Sequence, residues 1–379
     1  MMKLKTIDMD VIFWHYVARC VLCPVAFASC AVVWVYPLLL RLARKKNFVD
    51  IPNSRRLNRQ PVPVMGGVVV FFGLMFSLAL AGCLVEELSL SYYLIAAMAI
   101  VLMVGVADDA VGLTPRVRVV VEATLVAMLC YLTDAVVDNL YGVLALTHLS
   151  ASWALVLTVV GGVGVINSVN LIDGVDGLCS GYVMMVALLY GVMFSVVGDV
   201  SYAVLSFAVL GALIPFWLRN VYGGRSKMYL GDGGSLLLGL IVVAIALRFY
   251  AEGAAVLEGY VVSFTFATLS LPVLDTLRVM FSRIIKHRSP FSPDCSHLHH
   301  SFIRLGLSHK LTSISLVAMQ TSVVGVWYLC RRMSVGYDTA MYLVAMYAML
   351  VTWGGYAVAE LFSRKAGTTE LNILTKEID

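Results

Sequence analysis

Residues 167–181 read Asn-Ser-Val-Asn-Leu-Ile-Asp-Gly-Val-Asp-Gly-Leu-Cys-Ser-Gly and close an apolar run that begins near residue 152. Asn167, Asn170, Asp173 and Asp176 recur every three residues. On a helix each step of three turns about 300°, so neighbours in the series share a face and the set fans slowly around it. Gly174 and Gly177 let the backbone unwind and approach a ligand. Two carboxylates and two amides are costly in a segment otherwise suited to lipid, and ionisable groups at membrane depth point to function.

Outward from this stretch the chain is dominated by apolar residues. Of 379 residues, 60% are hydrophobic and 13% charged, with mean hydropathy +0.89. Soluble domains carry about 25% charged residues, so the expected class is an all-α polytopic membrane protein. Apolar runs of roughly 17–25 residues, the length that spans a bilayer, fall eleven times: about 14–40, 64–84, 91–107, 118–135, 152–170, 180–197, 201–218, 234–251, 259–282, 311–330 and 339–362. If the loop after the first run is cytoplasmic, that side collects 21 of the 27 Lys and Arg, the positive-inside pattern. This predicts about eleven transmembrane helices, the N-terminus outside, the C-terminus cytoplasmic, one membrane domain over 1–362 and a short cytoplasmic tail at 363–379. No small-residue cleavage site follows the first run, which therefore reads as a retained span. Of the eight scattered Cys, Cys20 and Cys23 lie inside an apolar run with no second pair and read as packing residues. No basic-aromatic patch points to nucleic acid.

The polar signals gather in the loops expected on the cytoplasmic side, 43–63, 108–117, 167–180, 219–235 and 284–310. Pro52, Pro61 and Pro63 make the first an extended turn, and its Arg55, Arg56 and Arg59 suit either head-group contact or recruitment of an anionic lipid. The third span ends in Asp108-Asp109, where two carboxylates oppose the helix dipole; capping is disfavoured and a metal or general-base pair is indicated. Arg116 and Arg118 follow, and either can neutralise a phosphate. Glu122 is an acid in the next span with no evident partner. Asn220 closes the seventh span, and Lys227-Met-Tyr-Leu-Gly-Asp-Gly-Gly-Ser235 sets Asp232 between glycines at the start of a helix, which favours anions. Tyr229 reads as a ring for stacking on a base or as an interfacial anchor. His297, His299 and His300 cluster without further ligands at zinc spacing, which suits phosphate contact or proton movement.

Asp108, Asp109, Asp173, Asp176 and Asp232 thus bring acids from three loops to one side. Such a set repels unless its pKa values rise or a divalent cation is present. An all-oxygen set suits Mg²⁺, with Mn²⁺ as an alternative ion. The pattern describes phosphoryl transfer at a membrane surface, from a water-soluble nucleotide to a lipid that stays in the bilayer. No Walker loop, dinucleotide fingerprint or G-x-S-x-G elbow occurs. The rival class, an ion-coupled transporter, calls for acids near mid-bilayer, whereas every Asp cluster lies at a span end.

Asp108-Asp109, the N-x-x-N-x-x-D-G-x-D-G-L of 167–178, residues 227–235 and the Ser-Pro-Asp-x-x-His-x-His-His of 292–300 together resemble the polyprenyl-phosphate N-acetylhexosamine-1-phosphate transferase family, in order from about 50 to 310. The H-x-H-H ending is similar to its WecA-like branch, which uses UDP-GlcNAc, rather than to the MraY branch, which transfers phospho-MurNAc-pentapeptide in peptidoglycan synthesis. The resemblance implies a Mg²⁺-dependent transfer of N-acetylhexosamine-1-phosphate from a UDP-sugar to undecaprenyl or another polyprenyl phosphate. Its setting would be the bacterial inner membrane, as the first step of a lipid-linked glycan such as O-antigen. A homodimer is compatible with it. It further implies Asp232 and Asn170 at the metal, Asp108 or Asp109 activating the lipid phosphate, and Asp173 and Asp176 shaping the nucleotide pocket. Tyr229 would lie on uracil, His297, His299 and His300 on phosphate or sugar, and Asn167, Asn220, Lys227 and Arg116 or Arg118 around the substrate. A phosphate second pKa of about 6 leaves little need for a base, favouring direct attack over an aspartyl-phosphate. Two positions depart from the family pattern, Cys295 for the usual Arg and Glu122 for the usual Gln.

Overall fold

The computed structural model describes residues 10–50, 61–290 and 296–363. Arg55, Arg56, Arg59, Cys295, the Ser-Pro-Asp of 292–294 and the expected tail from 364 lie outside the described residues. Each apolar run forms one long helix: α1 (Asp10–Lys45), α2 (Gly66–Ala81), α3 (Tyr92–Val111), α4 (Pro115–Thr133), α5 (Ala151–Leu171), α6 (Leu178–Val197), α7 (Val200–Tyr222), α8 (Gly231–Leu257) and α9 (Tyr260–Ile285). After the short α10 (Leu298–Arg304) come α11 (His309–Arg332) and α12 (Tyr337–Ser363). Nine of the described helices are long and apolar enough to cross a membrane. The two others depart for plain reasons: α2 has 16 residues, and α4 carries Arg116, Arg118 and Glu122 near its start.

The bundle is arranged around α8, whose residues from Gly233 to Leu247 are buried without a break. A helix apolar on every face belongs in the interior, and α8 packs against α2, α3, α5, α6 and α9. Its first turn is reached closely by two neighbours because of glycine. A Cβ at Gly105 of α3 would lie 2.4 Å from the Gly233 Cα, and one at Gly67 of α2 2.4 Å from the Gly234 Cα. Gly231, at φ +76°, turns the chain into α8 through a conformation that side chains disfavour.

The loop between α1 and α2 contributes more than an extended turn. Its flanks, β1 (Val49–Asp50) and β2 (Val62–Pro63), pair antiparallel with Val49 opposite Pro63. Tyr229 N–H donates to the Pro63 carbonyl at 2.8 Å, and the first amides of α2, Gly66 and Gly67, donate to the carbonyls of Tyr229 and Leu230, each at 2.9 Å. Orphan donors at a helix start are thereby satisfied, and the segment entering α8 is held in place.

In α9 the interior Pro272 removes one backbone donor; the Thr268 carbonyl, its i−4 partner, accepts the Tyr182 hydroxyl at 3.1 Å instead. Beside it the buried Gln320 of α11 accepts from Leu271 N–H at 2.8 Å and donates to the Ala267 carbonyl. At the other end of the bundle, about 24 Å along α8 from Asp232 (16 residues at ~1.5 Å each), charges pair with each other: Arg248 with Asp199 at 2.8 Å and with Glu252 at 3.2 Å.

Gly105→Val should therefore wedge α3 from α8. Overpacking of this kind costs about 1–3 kcal/mol, and thermal unfolding in detergent should show a lowered midpoint; an unchanged midpoint would contradict the close approach.

Candidate active site

The helix ends at the start of α8 bring together the acids read from three loops. Asp109 accepts the backbone N–H of Asp232 at 3.0 Å through Oδ1 and that of Gly233 at 3.2 Å through Oδ2. A carboxylate there satisfies orphan donors and meets the positive end of the dipole. The expectation that the Asp pair does no capping is corrected: Asp109 opposes the dipole of its own helix and caps another. Asp108 instead accepts the Leu113 N–H at 2.6 Å and pairs with Arg118 at 2.9 Å.

Arg118 is a hub. It reaches the Oδ1 atoms of Asn167 at 3.3 Å and Asn170 at 3.4 Å, and its Nε lies 3.7 Å from Glu122. Asn167 also donates to Glu122. The acid without an evident partner thus has two, while Arg116 is exposed. Asn170 donates through Nδ2 to Asp232 Oδ1 at 2.7 Å and to the Ser235 hydroxyl at 2.8 Å.

Asp173 and Asp176 fall in the turn between α5 and α6. Gly177, at φ +74°, closes that turn: its N–H donates to Asn220 Oδ1 at 2.7 Å and its carbonyl accepts Trp217 Nε1 at 3.1 Å. Asn220 is buried and its Nδ2 donates to the Met228 carbonyl at 2.9 Å. Both ends of its amide are committed to backbone, which differs from the substrate contact expected of it: it ties the Asp-Gly turn to the approach to α8. Asp176 meets Lys227 at 2.6 Å and His309 Nδ1 at 3.2 Å. Burial raises its carboxyl, but the hydrogen bonds and charges of His309 and Lys227 outweigh this and hold it below the usual value. The Lys227 ammonium also lies 5.0 Å from the centre of the half-buried Tyr229 ring.

Asp173 has no such compensation. Burial, then the carboxylates of Asp232, Asp109 and Asp176, push it well above the usual carboxylate range. No described residue donates a hydrogen bond to its side chain, nor to Asp232 Oδ2.

The histidines approach from α10. His297 and His299 stack with ring centres 5.7 Å apart and planes 7° apart, and His300 lies 4.2 Å from His299. A Cβ on Gly174 would come within 2.8 Å of His299 Nε2, so this ring rests on the Asp173–Asp176 turn. Burial first, then His300 and His297, hold His299 well below the usual imidazole range, which keeps it neutral near pH 7. Behind His297 lies Asp275 of α9, bonded to its Nδ1 at 2.9 Å. Sequence reading passed over Asp275 and His309. The signal for Asp275 was an acid inside an apolar run with Arg278 one turn later; His309 at a span start carried none.

The donor chemistry fits a magnesium ion. Asp232 and Asp173 present carboxylate oxygens that no described residue satisfies. Among the described residues, no group of three or more His, Cys, Asp or Glu is placed to hold a metal ion. Mg²⁺ asks for less, since it binds one or two carboxylates and completes its shell with waters and phosphates.

Comparison with known proteins places the chain. The description "Glycosyl transferase family 4" matches residues 91–250. The undecaprenyl-phosphate alpha-N-acetylglucosaminyl 1-phosphate transferase of Yersinia pestis is 30% identical over 298 residues, 76% of this chain and 78% of that protein. The chain belongs to glycosyl transferase family 4. Proteins of the same name from Salmonella typhi, 30% identical over 302 residues, and Escherichia coli (strain K12), 29% over 300, cover 76% of this chain and 78% of their own length. The family match contains Asp108, Asp109, Asn170, Asp173, Asp176 and Asp232 and ends before His297.

Arg118→Ala leaves the buried Glu122 without a cation and with Asn167 as its remaining partner, which should cost about 3–5 kcal/mol; adding Glu122→Gln should restore much of it. Arg116→Ala should stay within about 0.5 kcal/mol. Thermal unfolding of the four proteins checks both, and equal effects of the two Arg changes would contradict the assignment.

Proposed function

We propose that this protein transfers an N-acetylhexosamine-1-phosphate, GlcNAc-1-phosphate in the simplest case, from a UDP-sugar to undecaprenyl phosphate, releasing UMP. The observation that carries the reading is the junction at the start of α8, where Asp232, with Asn170 bonded to it, stands among Asp109 and Asp173. The names of the relatives agree with the lipid acceptor and the transferred group. The chain would act as one membrane domain over 1–362 with eleven spans, N-terminus outside, C-terminal tail and site facing the cytoplasm across the bacterial inner membrane. The basic side chains near the site, Arg44, Arg118, Arg225 and Lys227, support that orientation.

Asp232 would hold Mg²⁺, with Asp173 beside it. Asn170 turns its nitrogen toward Asp232 as placed, so it becomes a ligand only with its amide reversed, an assignment that rests on the hydrogen-bond network. Bound there, the ion would offset charge on the donor pyrophosphate and on the departing UMP. Arg118, held between Asp108 and the Asn pair, is placed to draw a phosphate to the same spot. Asp176, Lys227 and Tyr229 would line the nucleotide side, and the three His the phosphate and sugar side. Asp109 holds the α8 amides and Asp108 holds Arg118, so each already has a structural task, which agrees with direct attack by the ionised lipid phosphate. Trapping a phospho-enzyme would overturn that step.

Asp232→Asn preserves the shape and removes the charge. Mg²⁺-dependent UMP release should fall at least about 100-fold, the loss seen when a transition-state contact is deleted, in a protein that still elutes as a folded species. Activity above one tenth of the unchanged protein's would remove Asp232 from the metal.

A further inference from the structure

Asp275 is an acid buried inside α9, 2% exposed, three residues after the Pro272 break that Gln320 supports. Its two oxygens serve three donors, the His297 ring, the Leu298 amide and the Arg278 guanidinium. Oδ2 meets His297 Nδ1 at 2.9 Å, and both oxygens lie 3.1 Å from the Leu298 N–H. Oδ1 accepts from Arg278 at 2.7 and 3.2 Å. Arg278 in turn donates to the Ser296 carbonyl at 2.6 Å and lies over the ring of Tyr356 of α12, 3.6 Å from its centre. The residues on either side of His297 are therefore gripped by the same Asp–Arg pair that grips its ring.

A carboxylate paired with a guanidinium accepts hydrogen bonds and donates none. The Nδ1 of His297 must then carry the proton, and Nε2 is the nitrogen left over. Nε2 makes no hydrogen bond among the described residues, and its ring lies parallel to His299, which rests on the Asp173–Asp176 turn.

We infer that Asp275 is a positioning residue that fixes the tautomer and rotation of His297, so that Nε2 is presented to the donor's phosphates or sugar, and that Arg278 and Tyr356 hold it to that task. This rests on the proposed transferase reading only for what His297 touches; the tautomer does not depend on it.

Two readouts separate the possibilities. In protein labelled with ¹⁵N-histidine, the His297 ring, identified by its loss in His297→Asn, should show a protonated Nδ1, and Asp275→Asn should shift it toward the Nε2-protonated form. A wild-type ring protonated on Nε2 would overturn the inference even if Asp275→Asn fails to fold. In the transferase assay Asp275→Asn should lower kcat about 10- to 100-fold, the usual loss when an orienting partner is removed, with the donor KM changed less than threefold. Combined with His297→Asn it should add little more, because it acts through that ring, and Asp275→Glu should recover part of the rate. Additive losses, or full activity in folded Asp275→Asn, would sink it. Absence of UMP release by the unchanged protein would instead count against the transferase reading and leave the NMR result standing.

Discussion

Everything at the polar end of this bundle depends on the carboxylate of Asp109 lying across the first amides of α8. A helix start leaves N–H groups that need partners, and burial is continuous along α8 from Gly233 inward. Asp109 can reach them only because Gly105 and Gly233 let two backbones meet where any side chain would collide. Once that contact is made, Asp232 is fixed at the mouth of the central helix and Asn170 closes on it. The turn with Asp173 and Asp176 is pinned beside it through Asn220 and Trp217.

The electrostatics follow from the same crowding. Asp108, Asp176 and Glu122 each have a cation within about salt-bridge range, and Asp109 has two amides. Asp173 and the outer oxygen of Asp232 have neither. In a low-dielectric setting uncompensated carboxylates are strongly disfavoured, which is the physical ground for proposing that a cation and the donor's phosphates would sit at the pair that remains. At the far end of α8, by contrast, both acids, Asp199 and Glu252, share the Arg248 guanidinium.

Much of this was legible in the residues. The helical class and the position of every long helix follow from hydropathy, because a lipid-facing surface leaves little choice of composition. The convergence of Asp232 with Asn170 was readable because both sit in polar motifs at span ends. What was not legible is long-range. Nothing local to Asp109 announces that it accepts the amide of a residue 123 positions further along the chain, and β1 and β2 are too short to leave a pattern. Asn220 looked like a substrate contact because it ends a span near the motif; its amide is used up by two backbone partners. Asp275 could have been found by the reasoning applied to Asp173, but a lone acid in an apolar run has no spacing to draw attention to it.

In the proposed reaction the bond broken lies within the donor's pyrophosphate, between its two phosphorus centres, and not at the sugar. UDP-GlcNAc labelled with ³²P in the phosphate next to the sugar, incubated with the purified protein, Mg²⁺ and undecaprenyl phosphate, decides this directly. The label should move into the organic phase with the lipid while unlabelled UMP is released in equal amount. Label retained in water-soluble UDP, with sugar alone on the lipid, would contradict it.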